Sequence, residues 1–214
     1  MQVMSVNVGV PQMVRYQGKE ISTGIFKSPI SGPVMVRKTN LDGDRQADLK
    51  VHGGIDKAVY AYPFQHYPGW KRDFPQYDFP VAVFGENLTI DGIDEREVHI
   101  GDQFRVGTCE LQVTQPRFPC FKLGIRFGDP KMVKQFLQRK QPGVYFSVRK
   151  EGLVQAGDSL TLQKKSDAQL TVVDIVRLFA FDKTDREGLE AAANNPYLPQ
   201  EWQDYFAKQL ASLA

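Results

Sequence analysis

The chain has 214 residues, 42% hydrophobic and 24% charged, enough for the core of one large domain or of one domain with a small appendage. Its 27 basic and 25 acidic residues leave a net charge of +2, too balanced for a general nucleic-acid surface. No stretch approaches the roughly 18 apolar residues of a membrane span, the first residues lack the basic region and cleavage site of a secretory signal, and Cys109 and Cys120 form neither a CxxC pair nor a disulfide framework. A soluble, reducing, cytoplasmic setting is the expectation, with no nucleic acid and no membrane as partner.

In chain order, alternation predicts a strand over 1–8, ended by Gly9-Val-Pro11, then a turn-rich stretch at 24–29 and a strand over 34–38 before the Asp42-Gly43 turn. Val51 and residues 58–62 read as strand. Residues 63–73 read as a helix with Pro63 in its first turn and Pro68 as a source of strain. Residues 81–84 read as a buried strand leading through Gly85-Glu-Asn-Leu-Thr-Ile90 to an Asp91-Gly92 turn. Further strands are expected over 97–100, 103–106, 109–114, 144–149 and 159–163, and a helix over 129–137 with Asp129 as cap and Pro130 at its first position. Many short strands at this spacing predict a closed or nearly closed β-barrel over residues 1–165, with its core roughly over 20–165. Beyond Lys165 alternation stops, and 166–214 reads as three short helices. Thr171 caps the first and Asp185 the second, and Pro199 starts the third, with Trp202, Phe206, Leu210 and Leu213 along one face. A unit of about 45 residues is marginal alone and should pack on the barrel.

Two segments carry chemistry. Thr114-Gln-Pro-Arg-Phe-Pro-Cys-Phe-Lys-Leu123 places Cys120 between Arg117 and Lys122, and neighbouring cations favour a thiolate, the form that ligates metals and attacks electrophiles. The bland alternative is a buried cysteine acting as a small hydrophobe, which is how Cys109 reads. In Lys50-Val-His-Gly-Gly-Ile-Asp-Lys-Ala-Val-Tyr60, strand alternation puts Lys50 and His52 on one face, followed by Gly53-Gly54, where backbone can approach a ligand closely. A strand with two solvated polar residues before a turn is the competing reading. Converging, Lys50, His52, Arg117 and Lys122 would make a phosphate site, with Arg as a bidentate grip and Lys as a point charge. Asn87 and Glu86 follow a strand end, where ligand contacts and ordinary turn chemistry compete. His66 and His99 each stand alone and read as structural. No zinc spacing, Walker loop or dinucleotide fingerprint is present.

His52-Gly-Gly-Ile-Asp-Lys-Ala-Val59, Phe84-Gly-Glu-Asn-Leu88, Ile100-Gly-Asp102 and Gln115-Pro-Arg-Phe-Pro-Cys-Phe-Lys-Leu123 resemble the MOSC domain, named for the C-terminal region of molybdenum cofactor sulfurases, and within it the bacterial YiiM-like proteins. The resemblance implies a mainly β fold with α, a MOSC-type β-barrel followed by a small three-helix segment. It implies binding of molybdenum cofactor, a molybdenum held by the dithiolene of a pterin phosphate. Cys120 would be the molybdenum ligand and, with Lys50 and His52, the catalytic set. Gly53, Gly54, Asn87, Arg117 and Lys122 would complete the cofactor contacts. The implied activity is reduction of N-hydroxylated base analogues such as 6-hydroxylaminopurine, a detoxification. The chain lacks a flavin or iron–sulfur signature, so electrons would come from a separate flavin- or iron–sulfur-containing reductase. A non-enzymatic cofactor carrier and a sulfur carrier working through a Cys120 persulfide are the alternatives.

Overall fold

The computed structural model describes residues 1–48 and 53–213. Among these, the main sheet is built from β1 (Gln2–Val8), β4 (Ser28–Ile30), β6 (Val59–Pro63), β7 (Leu88–Asp91), β8 (Gln103–Val106), β9 (Cys109–Pro116), β10 (Val144–Lys150) and β12 (Leu160–Lys164), in the order β12-β8-β9-β10-β6-β7-β1-β4. Every pair is antiparallel except β6 with β7. The sheet curls until β1 meets the start of β12: Val3 N donates to Asp158 O (2.9 Å), Leu160 N to Met1 O (3.0 Å), and Gly157 N to Val3 O (2.8 Å). The result is a nearly closed barrel, which leaves β4 as a flap beyond β1 and relieves two edges of unpaired backbone groups. A hairpin of β2 (Gln12–Tyr16) and β3 (Lys19–Thr23), and a pair of β5 (Val34–Val36) with β11 (Gly152–Val154), stand apart from it.

Two cores result. Alternate residues such as Val6, Val59, Ile90, Phe104, Leu111, Val113 and Phe146 fill the barrel. A second, aromatic cluster of Tyr62, Trp70, Phe79, Phe84 and Phe136 lies outside it, under α1 (Tyr67–Asp73), α2 (Phe121–Phe127) and α3 (Lys131–Gln138). Trp70 Nε1 donates to the Tyr62 hydroxyl at 2.7 Å, so this cluster buries its polar atoms satisfied. Each fully buried phenylalanine there contributes about 1.5–3 kcal/mol.

Several local expectations change. Residues 81–84 form turns instead of a strand, with Ala82 at φ 70° and Gly85 at φ 78°; their apolar side chains serve the aromatic cluster. Residues 97–100 are also turn, because Glu97 N and Val98 N both donate to Asp94 O; only His99 makes a bridge, to Thr171. The helix expected from 63 begins as a 3-10 turn over Phe64–His66, with Pro63 still in β6. Pro68 lies at the α-helical N-terminus, where its missing N–H costs nothing. Pro130 precedes α3, and Asp129 Oδ1 accepts from Lys131 N at 2.8 Å. The hairpin β2–β3 and the helix α2 were not legible in the pattern.

The three helices beyond the barrel are α4 (Val172–Ala180), α5 (Arg186–Ala193) and α6 (Gln200–Ala211). Thr171 Oγ1 accepts from Asp174 N (3.1 Å) while Asp174 accepts from Thr171 N (3.0 Å), a reciprocal cap. Asp185 accepts from Gly188 N at 2.9 Å. Buried Ile175, Val176 and Phe206 anchor the segment on the barrel.

One buried polar network fixes the loops beside β1 and β7. Asp44 Oδ1 accepts from Gly9 N (2.9 Å), while Oδ2 accepts from Asn87 Nδ2 (2.9 Å) and pairs with Lys27. Asn87 Oδ1 accepts from Tyr60 N at 3.1 Å. Next to it, fully buried Glu86 takes donors from the Tyr67 hydroxyl, Ala82 N and Thr89 Oγ1 on one oxygen, and its other oxygen has no partner. Burial raises the Glu86 pKa, and the hydrogen bonds do not offset it. Because the folded-state value lies above the unfolded one, ionisation opposes folding. The penalty is absent below the unfolded value and grows as pH rises through the folded one. Glu86→Gln should therefore be at least as stable as the parent at pH 8 in urea denaturation, with its relative advantage shrinking toward pH 4. A variant whose relative stability instead falls as pH rises would show that the fold is built to hold the carboxylate.

Candidate functional site

β9 delivers the cysteine segment to the mouth of the barrel. Behind Pro116 the side chains divide. Gln115 Oε1 accepts from Trp202 Nε1 at 2.7 Å, and the Phe118 ring packs on Phe179 and Trp202 with centroids 4.5 and 4.8 Å away. Arg117, Cys120 and Lys122 line the opposite side, a cavity in the wall of the barrel. Cys120 is the residue before α2, and its carbonyl accepts from Leu123 N at 2.9 Å. Its side chain is part-exposed, whereas Cys109 is wholly buried in the core, where burial pushes its thiol up to about 12.

The lining carries Lys27, Arg45, Lys57, Arg117 and Lys122 and no carboxylate among the described residues. Lys27 is held by Asp44 and Lys57 by Glu201 at 3.2 Å. Arg117 and Lys122, 8% and 9% exposed, have no ion-pair partner among the described residues. The Arg117 guanidinium lies 5.2 Å from the Tyr60 ring centre and 5.1 Å from that of Phe136, and its Nη1 is buried without a hydrogen-bond partner. Burial disfavours its charge, but Tyr60, Tyr145 and Cys120 around it outweigh this and hold its pKa above the ordinary value. Burial in turn pushes the Tyr60 and Tyr145 hydroxyls up, so both are neutral donors at physiological pH. Tyr60, Phe84, Tyr145 and Ile25 give the cavity apolar lining beside its cations. Cations beside apolar lining suit an anion with an apolar part.

Of the residues expected here, Cys120, Arg117, Lys122 and Asn87 come together on this cavity. Asn87 spends its amide on Tyr60 N and Asp44, so it shapes the wall through the network. Lys50 and His52 lie outside the described residues. Gly53 and Gly54 are not on the cavity wall; Gly54 has φ 101° and introduces the turn Ile55–Lys57, which carries Lys57 to the wall. Lys27, Arg45, Lys57, Tyr60 and Tyr145 were missed. Lys57 sat within the quoted glycine segment and could have been chosen. Lys27 and Arg45 lie in loops without pattern, brought there by the Asp44 contacts and by Arg45 N donating to Gly9 O.

Among the described residues no helix is long and apolar enough to cross a membrane. The family model of the MOSC domain matches residues 48–161, and that of the YiiM-like, 3-alpha helix domain matches 170–213. The chain is 41% identical over 207 residues to a Bacillus subtilis protein named "Uncharacterized protein YflK", covering 97% of this chain and 93% of that one. It is 34% identical over 164 residues to a Gibberella moniliformis protein named "Reductase", covering 75% of this chain and 29% of the fungal one. The crystal structure of YiiM from Geobacillus stearothermophilus superposes with a TM-score of 0.82 at 31% identity, over 98% of both chains. Motif, barrel and helical segment thus agree, and the chain belongs to the MOSC domain family, with the YiiM-like three-helix domain at its C-terminal end.

Proposed function

We propose that the cavity binds molybdenum cofactor and that the protein is the terminal component of a reductase of N-hydroxylated compounds such as 6-hydroxylaminopurine. The observation that carries this reading is the buried Arg117 guanidinium, whose Nη1 is unpartnered beside a part-exposed thiol in a cavity free of carboxylates. The donor set fits the cofactor. A thiolate suits a soft metal, and Arg117 and Lys122 suit a phosphate. When bound, the cofactor supplies the redox-active centre.

The chain's own residues hold and screen. Cys120 is the metal ligand, and the aromatic wall of Tyr60, Phe84 and Tyr145 covers the apolar part of the ligand. Converting N–OH to N–H with release of water takes two electrons and two protons. His52, from the glycine segment, is the proposed proton donor near neutral pH, and Lys50 is the other proposed member of the catalytic set. The electrons come from a separate flavin- or iron–sulfur-containing reductase. The name "Reductase" carried by the fungal relative supports oxidoreductase chemistry in the family.

Cys120→Ser, produced in a host that makes the cofactor, should lose bound molybdenum by elemental analysis while keeping the parental circular dichroism. Cys109→Ala, changed within the core, should keep its metal. Equal metal content in the Cys120→Ser protein and its parent would remove the ligand assignment. Supplied with donor reductase and pyridine nucleotide, the loaded protein should form adenine from 6-hydroxylaminopurine, and should form none without donor or with Cys120→Ser. Loaded protein that retains molybdenum yet forms no adenine would favour the carrier reading.

A further inference from the structure

A second cavity, of about 450 Å³, lies on the outer face of the barrel, beside the chain between α5 and α6. Its floor is a row across four neighbouring strands. Lys164 of β12 pairs with Gln103 of β8, Gln103 with Gln112 of β9, and Gln112 with Ser147 of β10. Directly paired residues share a face, so these four side chains stand abreast, over roughly 14 Å at the usual strand spacing. Arg149 follows two residues along β10 on the same face. Pro196 and Tyr197 line it from that chain. Tyr197 is seated by close packing on Gly101, where a Cβ would come 2.4 Å from its ring. Asp56 closes one side, its carbonyl accepting from Thr114 Oγ1 at 2.7 Å.

The polar groups of this cavity are left over. Gln112 is 7% exposed, yet its amide has no hydrogen-bond partner among the described residues. Its amide atoms open onto the cavity, where they can pair with whatever enters it. Arg149 and Lys164 have no carboxylate within ion-pair distance among the described residues. The Asp56 carboxylate likewise accepts no hydrogen bond among the described residues, and burial raises its pKa. Amides offer donors and acceptors together, a carboxylate accepts from hydroxyl or amino groups, and the two cations select negative charge. The volume is that of a small-molecule site.

We propose that this cavity is a second binding site, distinct from the cysteine cavity, for a small organic anion bearing hydroxyl or amino groups, of the size and kind of a sugar phosphate or nucleoside monophosphate. Gln103 and Gln112 read its polar groups, Asp56 accepts from its hydroxyls, and Arg149 and Lys164 hold its charge. The site makes no use of Cys120, so it stands or falls independently of the function proposed above.

Isothermal titration of the full chain, as parent and as the Arg117→Gln variant that lacks the anion grip of the first cavity, with ribose 5-phosphate and adenosine 5′-monophosphate tests it, with inorganic phosphate and adenosine as the charge-only and charge-free probes on the variant. Saturable binding is expected for at least one ester, at least tenfold tighter than either control. Binding should weaken at least tenfold in Gln112→Leu and in Arg149→Ala, and stay unchanged in Arg117→Gln, which alters the first cavity. Arg149 is exposed, so its variant keeps the test meaningful should Gln112→Leu misfold. Neither ester binding, affinity no better than for inorganic phosphate, or binding indifferent to Arg149→Ala would overturn the proposal.

Discussion

A guanidinium buried without a carboxylate is the constraint on which this architecture turns. Burying a charge is costly unless it is paired, and among the described residues Arg117 has aromatic faces, tyrosine hydroxyls and a nearby thiol around it and no carboxylate partner. A fold optimised for stability alone would place an apolar side chain there. Retaining arginine leaves a positive potential in a confined, low-dielectric space, where it acts more strongly than at the surface. Lys122 and Arg45 add to it, Lys27 and Lys57 being paired with Asp44 and Glu201, and no carboxylate lines the cavity among the described residues. Net charge over the whole chain is nearly neutral, so the potential is local, made by placement.

Two independent supports keep that placement. On one side, the three-helix segment grips two residues of the cysteine segment, Gln115 through Trp202 and Phe118 through Phe179 and Trp202. Lys57 is tied to the same segment through Glu201. The C-terminal helices therefore back the ligand-bearing loop, which explains why a unit too small to be stable alone accompanies this barrel. On the other side, Asp44 joins Gly9, Lys27 and Asn87, so loops distant in sequence share one carboxylate. An aspartate this deeply buried is tolerated because each oxygen is hydrogen-bonded.

Much of this was legible beforehand, for physical reasons that differ by element. Barrel strands such as 103–106 and 109–114 were legible because polar and apolar residues alternate there, one face being apolar. The caps Thr171 and Asp185 declare their helices because so few side chains can satisfy a helix's first N–H groups. Residues 81–84 misled because burial in a cluster outside the sheet mimics burial in a strand, and backbone at positive φ leaves no trace in hydrophobicity. The helix Phe121–Phe127 was hidden because Cys120 is not an ordinary capping residue and two prolines precede it. At the site, Cys120, Arg117 and Lys122 were legible because they are neighbours in sequence. Lys27, Arg45 and Tyr145 were not, because only tertiary hydrogen bonding and strand pairing bring them there.

The direct measurement is a paired determination on Arg117→Met: urea stability, and affinity for inorganic phosphate by titration calorimetry at low salt. If Arg117 is held at a cost to stability for the sake of an anion, the variant should be as stable as the parent or more so and should lose saturable phosphate binding at the cysteine cavity. A variant that is strongly destabilised yet binds phosphate as the parent does would contradict this account, and would make Arg117 a structural residue.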